Sequence, residues 1–244
     1  MIDRFITGQG LALQAIDVGT MRKLDRLAID SAGLSLLQMM ENAGRDLAEL
    51  TLEMLGDAWR RARVVVLAGP GNNGGGGLCA GRHLANKGLK VAFYLANEVH
   101  LGEAAALQRR LLIAAGGRQM SLNAQGAGPA DVVLDAVIGY GLNGAPTGEA
   151  LDLIRRTNAF NATVIALDVP SGIDASSGAA PGEYVSAETT LTLAWPKTGL
   201  LPDATGKLWL GDIGIPPSVY LSAGIDFEYP FGNRYIIPLK AAEA

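Results

Sequence analysis

Three segments of the sequence combine glycine, amide and carboxylate residues in patterns that suit binding of a polar small molecule. The first runs from Gly69 to Gly77 and holds two adjacent amides, Asn72 and Asn73, among glycines. Glycine lets the backbone approach a ligand closely, and free N–H groups at the start of a following helix favour a phosphate. The segment has neither the Lys-Ser/Thr pair of a P-loop nor the G-x-G-x-x-G spacing of a dinucleotide fingerprint. We therefore expect a ligand-binding loop of another type, with a purely structural tight turn as the alternative.

The other two segments each place an aspartate at the end of an apolar run. Asp135 precedes the glycine-rich stretch Gly139–Gly144, and Asp168 precedes Pro170, Ser171 and a glycine. A carboxylate that leaves a buried strand is costly unless it is paired, caps a turn or binds a cation. Both aspartates are therefore candidate functional residues, and capping of its own turn is the alternative for each.

These segments follow the strands of a predicted α/β fold. Two helices are predicted before the first strand, because apolar residues recur at helical spacing from Met21 to about Leu55. The spacing is broken at Gly33, and Ser35 is the predicted N-cap of the second helix. Strands and helices then alternate, which predicts a mainly parallel sheet covered on both faces. In such a sheet, ligands bind beyond the carboxyl ends of the strands. The predicted strands are Val64–Ala68, Val91–Leu95, Asp131–Val137 and Thr163–Val169, and the predicted intervening helices are Leu78–Lys87, Ala104–Ala115 and Glu149–Thr157.

The alternation stops beyond Gly172. Thr189–Trp195 and Lys207–Leu210 resemble strands, but no helix long enough for a crossover lies between them, so we expect antiparallel or irregular strands here. Residues from about 217 to 244 contain prolines among polar residues and are predicted to form a peripheral tail. The length of 244 residues, without repeat or linker, predicts a single domain.

Composition excludes several classes of protein. A formal net charge of −4 without a cluster of lysines and arginines argues against nucleic acid as a partner. Because Cys79 is the single cysteine, an intramolecular disulfide framework is excluded. Cys79 is expected to be a packed residue of a helix. No apolar stretch reaches the ~20 residues of a membrane span. Asp3, Arg4 and Asp17 argue against a secretory signal, so we expect a cytoplasmic protein.

Taken in this order, the motifs resemble those of the YjeF N-terminal domain family, the NAD(P)H-hydrate epimerases, also called the apolipoprotein A-I-binding protein family. The resemblance covers roughly residues 20 to 217. It implies a Rossmann-like, three-layer αβα sandwich with N-terminal helices, which assembles as a homodimer. The matching stretches are Met40–Gly44, Gly71–Gly75 with Arg82–Leu84, Asp135–Ala136 with Gly139 and Gly141–Leu142, Asp168–Gly172, Ala187 with Thr190, Pro196–Lys197, and Gly214–Pro216.

The resemblance also implies an activity and a site. The enzyme would interconvert the R and S forms of NADHX and NADPHX, which are hydrated at C6 of the nicotinamide ring, without a redox cofactor. One potassium ion per subunit would bind Asn73, Asp135 and Ser171, whose oxygens suit a hard cation. Asp168 and Asp135 are the predicted catalytic residues: the former does acid/base or electrostatic work and the latter holds the cation. The implied substrate-binding residues are Asn72, Asn73, Gly74, Gly75, Gly76, Gly139, Tyr140, Gly141, Leu142, Asn143, Gly144, Ala145 and Asp168.

One residue departs from the family pattern, because Gly76 stands where the family loop normally has an aspartate. Its loss removes an acceptor and a negative charge, which leaves open a non-catalytic metabolite-binding or scaffold module of the same fold. An ordinary NAD-dependent dehydrogenase is less favoured, since Asn97-Glu98 gives no clean ribose-binding fingerprint. The family domain is often fused to a dehydratase, which here would be a separate polypeptide or would lie outside the given sequence. Lys197 is predicted either to approach the site or to be a surface lysine, and His83 to be a packed or capping residue.

Overall fold

The computed structural model describes residues 1–123 and 129–242. Within them, the strands join into one ten-stranded mixed sheet. The strands are β1 (Arg4–Thr7), β2 (Ala12–Gln14), β3 (Arg63–Ala68), β4 (Lys90–Leu95), β5 (Arg118–Gln119), β6 (Val132–Ala136), β7 (Thr163–Leu167), β8 (Thr189–Leu193), β9 (Lys207–Gly211) and β10 (Ile236–Ala241). Their order across the sheet is β2-β1-β10-β9-β8-β7-β6-β3-β4-β5. All pairs from β9 to β5 are parallel, and β10, β1 and β2 extend the β9 edge with antiparallel strands.

The helices cover both faces of this sheet. They are α1 (Val18–Asp30), α2 (Leu36–Leu55), α3 (Asn72–Asn86), α4 (Glu103–Ala114), α5 (Gly148–Ala159), α6 (Pro202–Thr205) and α7 (Pro217–Ala223). Ser35 caps α2, as predicted: its hydroxyl accepts from the Gln38 amide, and the Gln38 side chain accepts from the Ser35 amide in return. None of the described helices combines the length and the apolar character of a membrane span.

Alternate residues of the buried strands face opposite helix layers. Val64 and Val66 of β3 pack with residues of α2, α3 and α4. Val65 of the same strand packs with Leu153 and Ile154 of α5 on the other face. Successive side chains of a strand point to opposite faces of the sheet. A strand that is covered on both faces is therefore apolar at every position. The predicted α/β sandwich with a mainly parallel sheet is therefore confirmed.

The orientation of two strands was predicted wrongly. β8 pairs in parallel with β7, and β9 pairs in parallel with β8. A parallel crossover needs chain length, which a helix usually supplies. Here, residues 168–188 make one crossover without a helix, and residues 194–206 make the next with only the single turn of α6. Antiparallel pairing begins one strand later, at β10.

The segment predicted as a peripheral tail is part of the core. β10 lies between β1 and β9 in the sheet, and α7 buries Val219, Tyr220 and Ala223. β10 includes Pro238, and it pairs with β1 only as far as Leu239, so no ladder bond to β1 is required of the proline nitrogen. Residues 243–244 of the predicted tail lie outside the described residues. The two short N-terminal strands were not predicted at all.

Helix α3 starts six residues earlier than the predicted Leu78, inside the glycine run. Glycine is a poor helix former, but here the helix packs so closely that a side chain would not fit. A Cβ on Gly74 would lie 1.8 Å from the carbonyl oxygen of Gly69, and one on Gly77 would lie 2.4 Å from the Cβ of Ala136 on β6. Tertiary packing therefore outweighs helix propensity in this segment.

We predict that Gly74→Ala destabilises the fold strongly, because the added methyl group collides with backbone that cannot move aside. Overpacking usually costs roughly 1–3 kcal/mol, and a clash with main chain is expected at or above the top of that range. Gly71→Ala is the matched control, since a Cβ there meets nothing within 4 Å. Urea unfolding of both variants measures the difference. Equal stability of the two variants would contradict the packing described here.

Candidate active site

A cavity of about 610 Å³ opens beyond the carboxyl ends of the central strands. Its walls come from α1, α2, the start of α3 and the loops that follow β6, β7 and β8. This volume lies within the ~300–1,000 Å³ range of small-molecule sites. Apolar side chains from α1 and α2 line much of the cavity, and polar groups line it both at the strand ends and on α1, which contributes Arg22, Asp25 and Arg26. The apolar wall includes Met21, Ile29, Leu36, Met39, Met40, Ala43 and Ile213.

Asp168 reaches the cavity from the end of β7 with an unusual backbone. Its φ of 70° lies in the left-handed region, which non-glycine residues seldom adopt. The backbone amide donates to the carbonyl of Leu191 at 2.7 Å, and the Oδ2 atom accepts from the Tyr140 amide at 2.8 Å. Backbone strain of this kind persists where the surroundings hold it, and it is frequent at functional sites.

Lys197 is completely buried beside Asp168. Its Nζ donates to Asp168 Oδ1 at 2.5 Å, to the carbonyl of Leu193 at 2.8 Å and to the hydroxyl of Thr192 at 3.1 Å. All three ammonium protons thus have an acceptor, as burial of such a group requires. The sequence left open whether Lys197 approaches the site or lies on the surface, and the structure supports approach to the site.

Gly139 and Asn73 close the space between two strand ends. A Cβ on Gly139 would lie 2.8 Å from Asp168 Oδ2 and 3.1 Å from the Asn73 amide carbon, so only glycine fits here. With its amide turned to satisfy both groups, Asn73 donates to the carbonyl of Leu167 at 3.3 Å and accepts from the Gly139 amide at 3.2 Å. Asn73 therefore ties the first turn of α3 to the loops that follow β6 and β7.

Asp135 and Ser171 form a fully buried pair. Asp135 Oδ1 lies 2.6 Å from the Ser171 hydroxyl, and Oδ2 accepts from the Ser171 amide at 2.8 Å. Ser171 Oγ also accepts from the Ile138 amide at 2.8 Å. Burial raises the pKa of Asp135 to about 6, against the opposing effect of these hydrogen bonds. Among its described contacts, this carboxylate has no cationic partner.

The structure brings only some of the predicted substrate residues to the cavity. Gly74 and Gly75 are instead buried within α3, and the predicted cation ligands Asp135 and Ser171 are buried and do not line the cavity. The loop residues Leu142, Asn143, Gly144 and Ala145 also lie outside the lining. The predicted residues that do line it are Asn72, Asn73, Gly76, Gly139, Tyr140, Gly141 and Asp168.

Asp25, which was not predicted from the sequence, lines the cavity from α1. Its carboxylate accepts a short hydrogen bond from the Tyr140 hydroxyl. Burial raises the pKa of Asp25, and the hydrogen bond from Tyr140 opposes that rise. A signal was available: Asp25 follows the buried Met21 by four residues and precedes the buried Ala28 by three, so it lies within the apolar stripe of the helix.

A second polar cluster joins α2 to α3 away from the cavity. Glu41 accepts from Arg82 at 2.5 Å and lies 2.8 Å from His83 Nε2. Burial raises the pKa of the adjacent Cys79 thiol to about 12, which makes it a poor nucleophile. Cys79 and His83 are packed residues, as predicted, and the arginine already compensates the carboxylate.

Comparison with known proteins agrees with the arrangement of these loops. Residues 36–199 match the model of the family described as YjeF-related protein N-terminus. The chain is 57% identical over 98% of its length, and 98% of the relative's, to an NAD(P)H-hydrate epimerase of Dehalogenimonas lykanthroporepellens. It is 35% identical, over 83% of its length and 95% of the relative's, to an NAD(P)H-hydrate epimerase of Lentilactobacillus buchneri.

Longer relatives and a solved structure share the same region. The chain is 39% identical, over 92% of its length, to a bifunctional NAD(P)H-hydrate repair enzyme Nnr of Hyperthermus butylicus, but it spans only 42% of that protein. The crystal structure of the yeast protein YNL200c superposes with a TM-score of 0.75 at 22% identity, over 93% of this chain and all of the yeast chain, which establishes a shared fold. By its match to the family model and to these relatives, the chain belongs to the YjeF-related N-terminal domain family.

Proposed function

We propose that this chain is an NAD(P)H-hydrate epimerase, which interconverts the R and S forms of NADHX and NADPHX. The observation that carries the proposal is a carboxylate, Asp168, fixed at the edge of a cavity by the buried Lys197 and the Tyr140 amide. The similarity to the Dehalogenimonas epimerase over 98% of both chains supports the choice of substrate.

The site contains groups of the kind that epimerisation at C6 requires. Inversion at C6 requires the hydroxyl group to leave and return on the other face, or the ring to open and close. Either route needs proton transfer and stabilisation of an electron-poor species. We assign this work to Asp168, whose carboxylate is positioned by hydrogen bonds rather than free to rotate. The apolar wall formed by α1 and α2 suits the face of a nicotinamide ring and limits access of water.

We further propose that Asp135, Ser171 and Asn73 hold a potassium ion. The donor set fits, because it offers carboxylate, hydroxyl and amide oxygens, and because the buried Asp135 carboxylate has no described cationic partner. A cation there would compensate the charge of Asp135 and stiffen the loop that carries Asp168. In the same proposal, the chain works as a cytoplasmic homodimer. A dehydratase is the proposed functional partner, since the Hyperthermus butylicus relative is described as a bifunctional NAD(P)H-hydrate repair enzyme.

The alternative is a binding or scaffold module that has lost turnover. The departure at Gly76 motivates it, since this residue lines the cavity where the family pattern has an aspartate. A Cβ at this position would lie 2.8 Å from Leu167 Cδ2, so this terminal methyl group must shift to admit a side chain. Asp168, its Lys197 partner and the Tyr140 contact are all in place, which favours an active enzyme over this alternative.

The assay that tests the proposal follows conversion of purified S-NADHX and R-NADHX by chromatography. We expect catalytic amounts of wild-type protein to bring either epimer to the same mixture, and Asp168→Asn to lower kcat by about 100-fold or more. Asparagine tolerates the left-handed backbone of this position. The exposed Asp203→Asn is the control and should keep full activity. An Asp168→Asn variant as fast as wild type would refute the role of this residue, and an inactive wild type would refute the function.

Gly76→Asp separates the enzyme from the scaffold module. We expect an active wild type and a slower Gly76→Asp variant, because the new side chain must displace Leu167, next to Asp168, at a cost of roughly 1–3 kcal/mol. Gly76→Ala adds the Cβ without the charge and shows how much of the loss is steric. The same chromatographic assay measures all three proteins. Activity in Gly76→Asp together with an inactive wild type would favour the scaffold module.

Potassium should stabilise the folded protein specifically. A ligand present at tenfold its Kd contributes about 1.4 kcal/mol to the free energy of unfolding. We therefore expect a higher thermal midpoint in KCl than in choline chloride of equal ionic strength, and a smaller difference for Ser171→Ala. Ser222→Ala, on the exposed side of α7, is the control and should respond as wild type. Identical midpoints of wild type in both salts would count against the cation site.

A further inference from the structure

The α1 wall of the cavity carries a second carboxyl group beside Asp168. Asp25 accepts a hydrogen bond from the Tyr140 hydroxyl, and the backbone amide of the same tyrosine donates to Asp168 Oδ2 at 2.8 Å. Both carboxyl groups line the same cavity, one from α1 and one from the end of β7. Tyr140 therefore links two acidic side chains that approach the ligand space from different elements. Asp25 also precedes residues 36–199, the part of the chain that matches the family model.

The charged and titratable groups around Asp25 give it a different environment from Asp168. Burial and the charge of Asp168 raise the pKa of Asp25, whereas the Tyr140 hydroxyl and the charge of Lys197 lower it, and the net change is upward. Tyr220 of α7 lies close enough for ionised Asp25 to raise its pKa. Arg22 and Arg26, on the same helix, also line the cavity.

Two carboxyl groups with different environments in one cavity can divide the work of acid and base. Asp168 is bonded to the ammonium group of Lys197 at 2.5 Å. Asp25 has a hydroxyl group as its hydrogen-bond partner instead of a cation. In the form that carries one proton between them, we assign that proton to Asp25, whose pKa is raised by burial.

We propose that Asp25 is a second catalytic residue of the epimerase, which exchanges a proton with the C6 oxygen of the substrate on one face while Asp168 does so on the other. This inference rests on the function proposed above. It supplies what inversion needs and Asp168 alone does not, because the oxygen departs from one face of C6 and returns at the opposite face.

The step balances without an oxidant or a reductant. The C6–O bond breaks with its electron pair on oxygen, the lone pair of the ring nitrogen forms a C=N bond, and the proton of Asp25 completes the departing water. A water then adds at the opposite face through an oxygen lone pair, the C=N π electrons return to nitrogen, and Asp168 takes the excess proton. The next turnover runs in the reverse direction, or follows transfer of that proton back to Asp25 through water.

The pH profile of the reaction tests this assignment. The active form holds one proton on the two carboxyl groups, so kcat/KM should fall at high pH as Asp25 loses its proton. In Asp25→Asn we expect kcat to fall by about 100-fold, with little change in KM, and the upper limb of the profile to disappear. Asp30→Asn removes an exposed carboxylate near the end of the same helix and should leave the profile unchanged.

Tyr140→Phe tests whether Asp25 takes part in proton transfer, because a purely structural role of Asp25 would not shift the pH profile. It removes the hydrogen bond that lowers the pKa of Asp25 but keeps the backbone amide that holds Asp168. The upper limb should therefore persist and move to higher pH. This variant also carries the test if thermal unfolding shows that Asp25→Asn does not fold.

The outcomes separate the two proposals. An active wild type with the same kcat and the same upper limb in Asp25→Asn would overturn the role of Asp25 and leave the epimerase function standing. An upper limb that Tyr140→Phe leaves at the same pH would also overturn it. Absence of epimerisation by wild-type protein would overturn both proposals together.

Discussion

The site depends on the contact between the Lys197 ammonium group and the Asp168 carboxylate. Both side chains are almost fully buried, so each charge is compensated by the other and by neighbouring hydrogen bonds. Removing one partner from a buried pair of this kind leaves an uncompensated charge and typically costs about 3–5 kcal/mol. The backbone of Asp168 has a left-handed conformation, and its side chain lines the cavity.

The site also depends on the close approach of backbone segments, which positions the groups around the Lys197–Asp168 contact. α3 lies directly on the sheet because Gly74 and Gly77 have no side chains to hold it away. That placement brings Asn73 within reach of the loops after β6 and β7, where Gly139 leaves just enough room for Asp168. The glycine run therefore acts mainly through packing: it positions polar groups at the strand ends, and only Gly76 among its helical glycines lines the cavity.

The sequence was informative where local pattern and burial agree. β3, β6 and β7 were predicted because strands covered on both faces are continuous apolar runs. Asp135 of β6 and Asp168 after β7 were singled out because a charge at the end of a buried strand is costly. The start of α3 and the orientation of β8 and β9 were predicted wrongly, because each depends on tertiary packing or on an irregular crossover that has no local signature. Lys197 was left undecided, since the partner that makes its burial possible, Asp168, is distant in sequence. Asp25 was missed because its place within the apolar stripe of α1 was the only local signal, and its hydrogen-bond partner, Tyr140, is distant in sequence.

A crystal structure of the protein in complex with NADPHX tests the central claim most directly, that the cavity between α1, α2 and the strand ends holds the hydrated ring. Our account predicts the ring against the apolar wall, with the C6 oxygen within about 2.6–3.2 Å of a carboxylate oxygen of Asp168 or Asp25, as proton transfer requires. A ring bound outside this cavity, or inside it with C6 turned away from both carboxyl groups, would contradict the account.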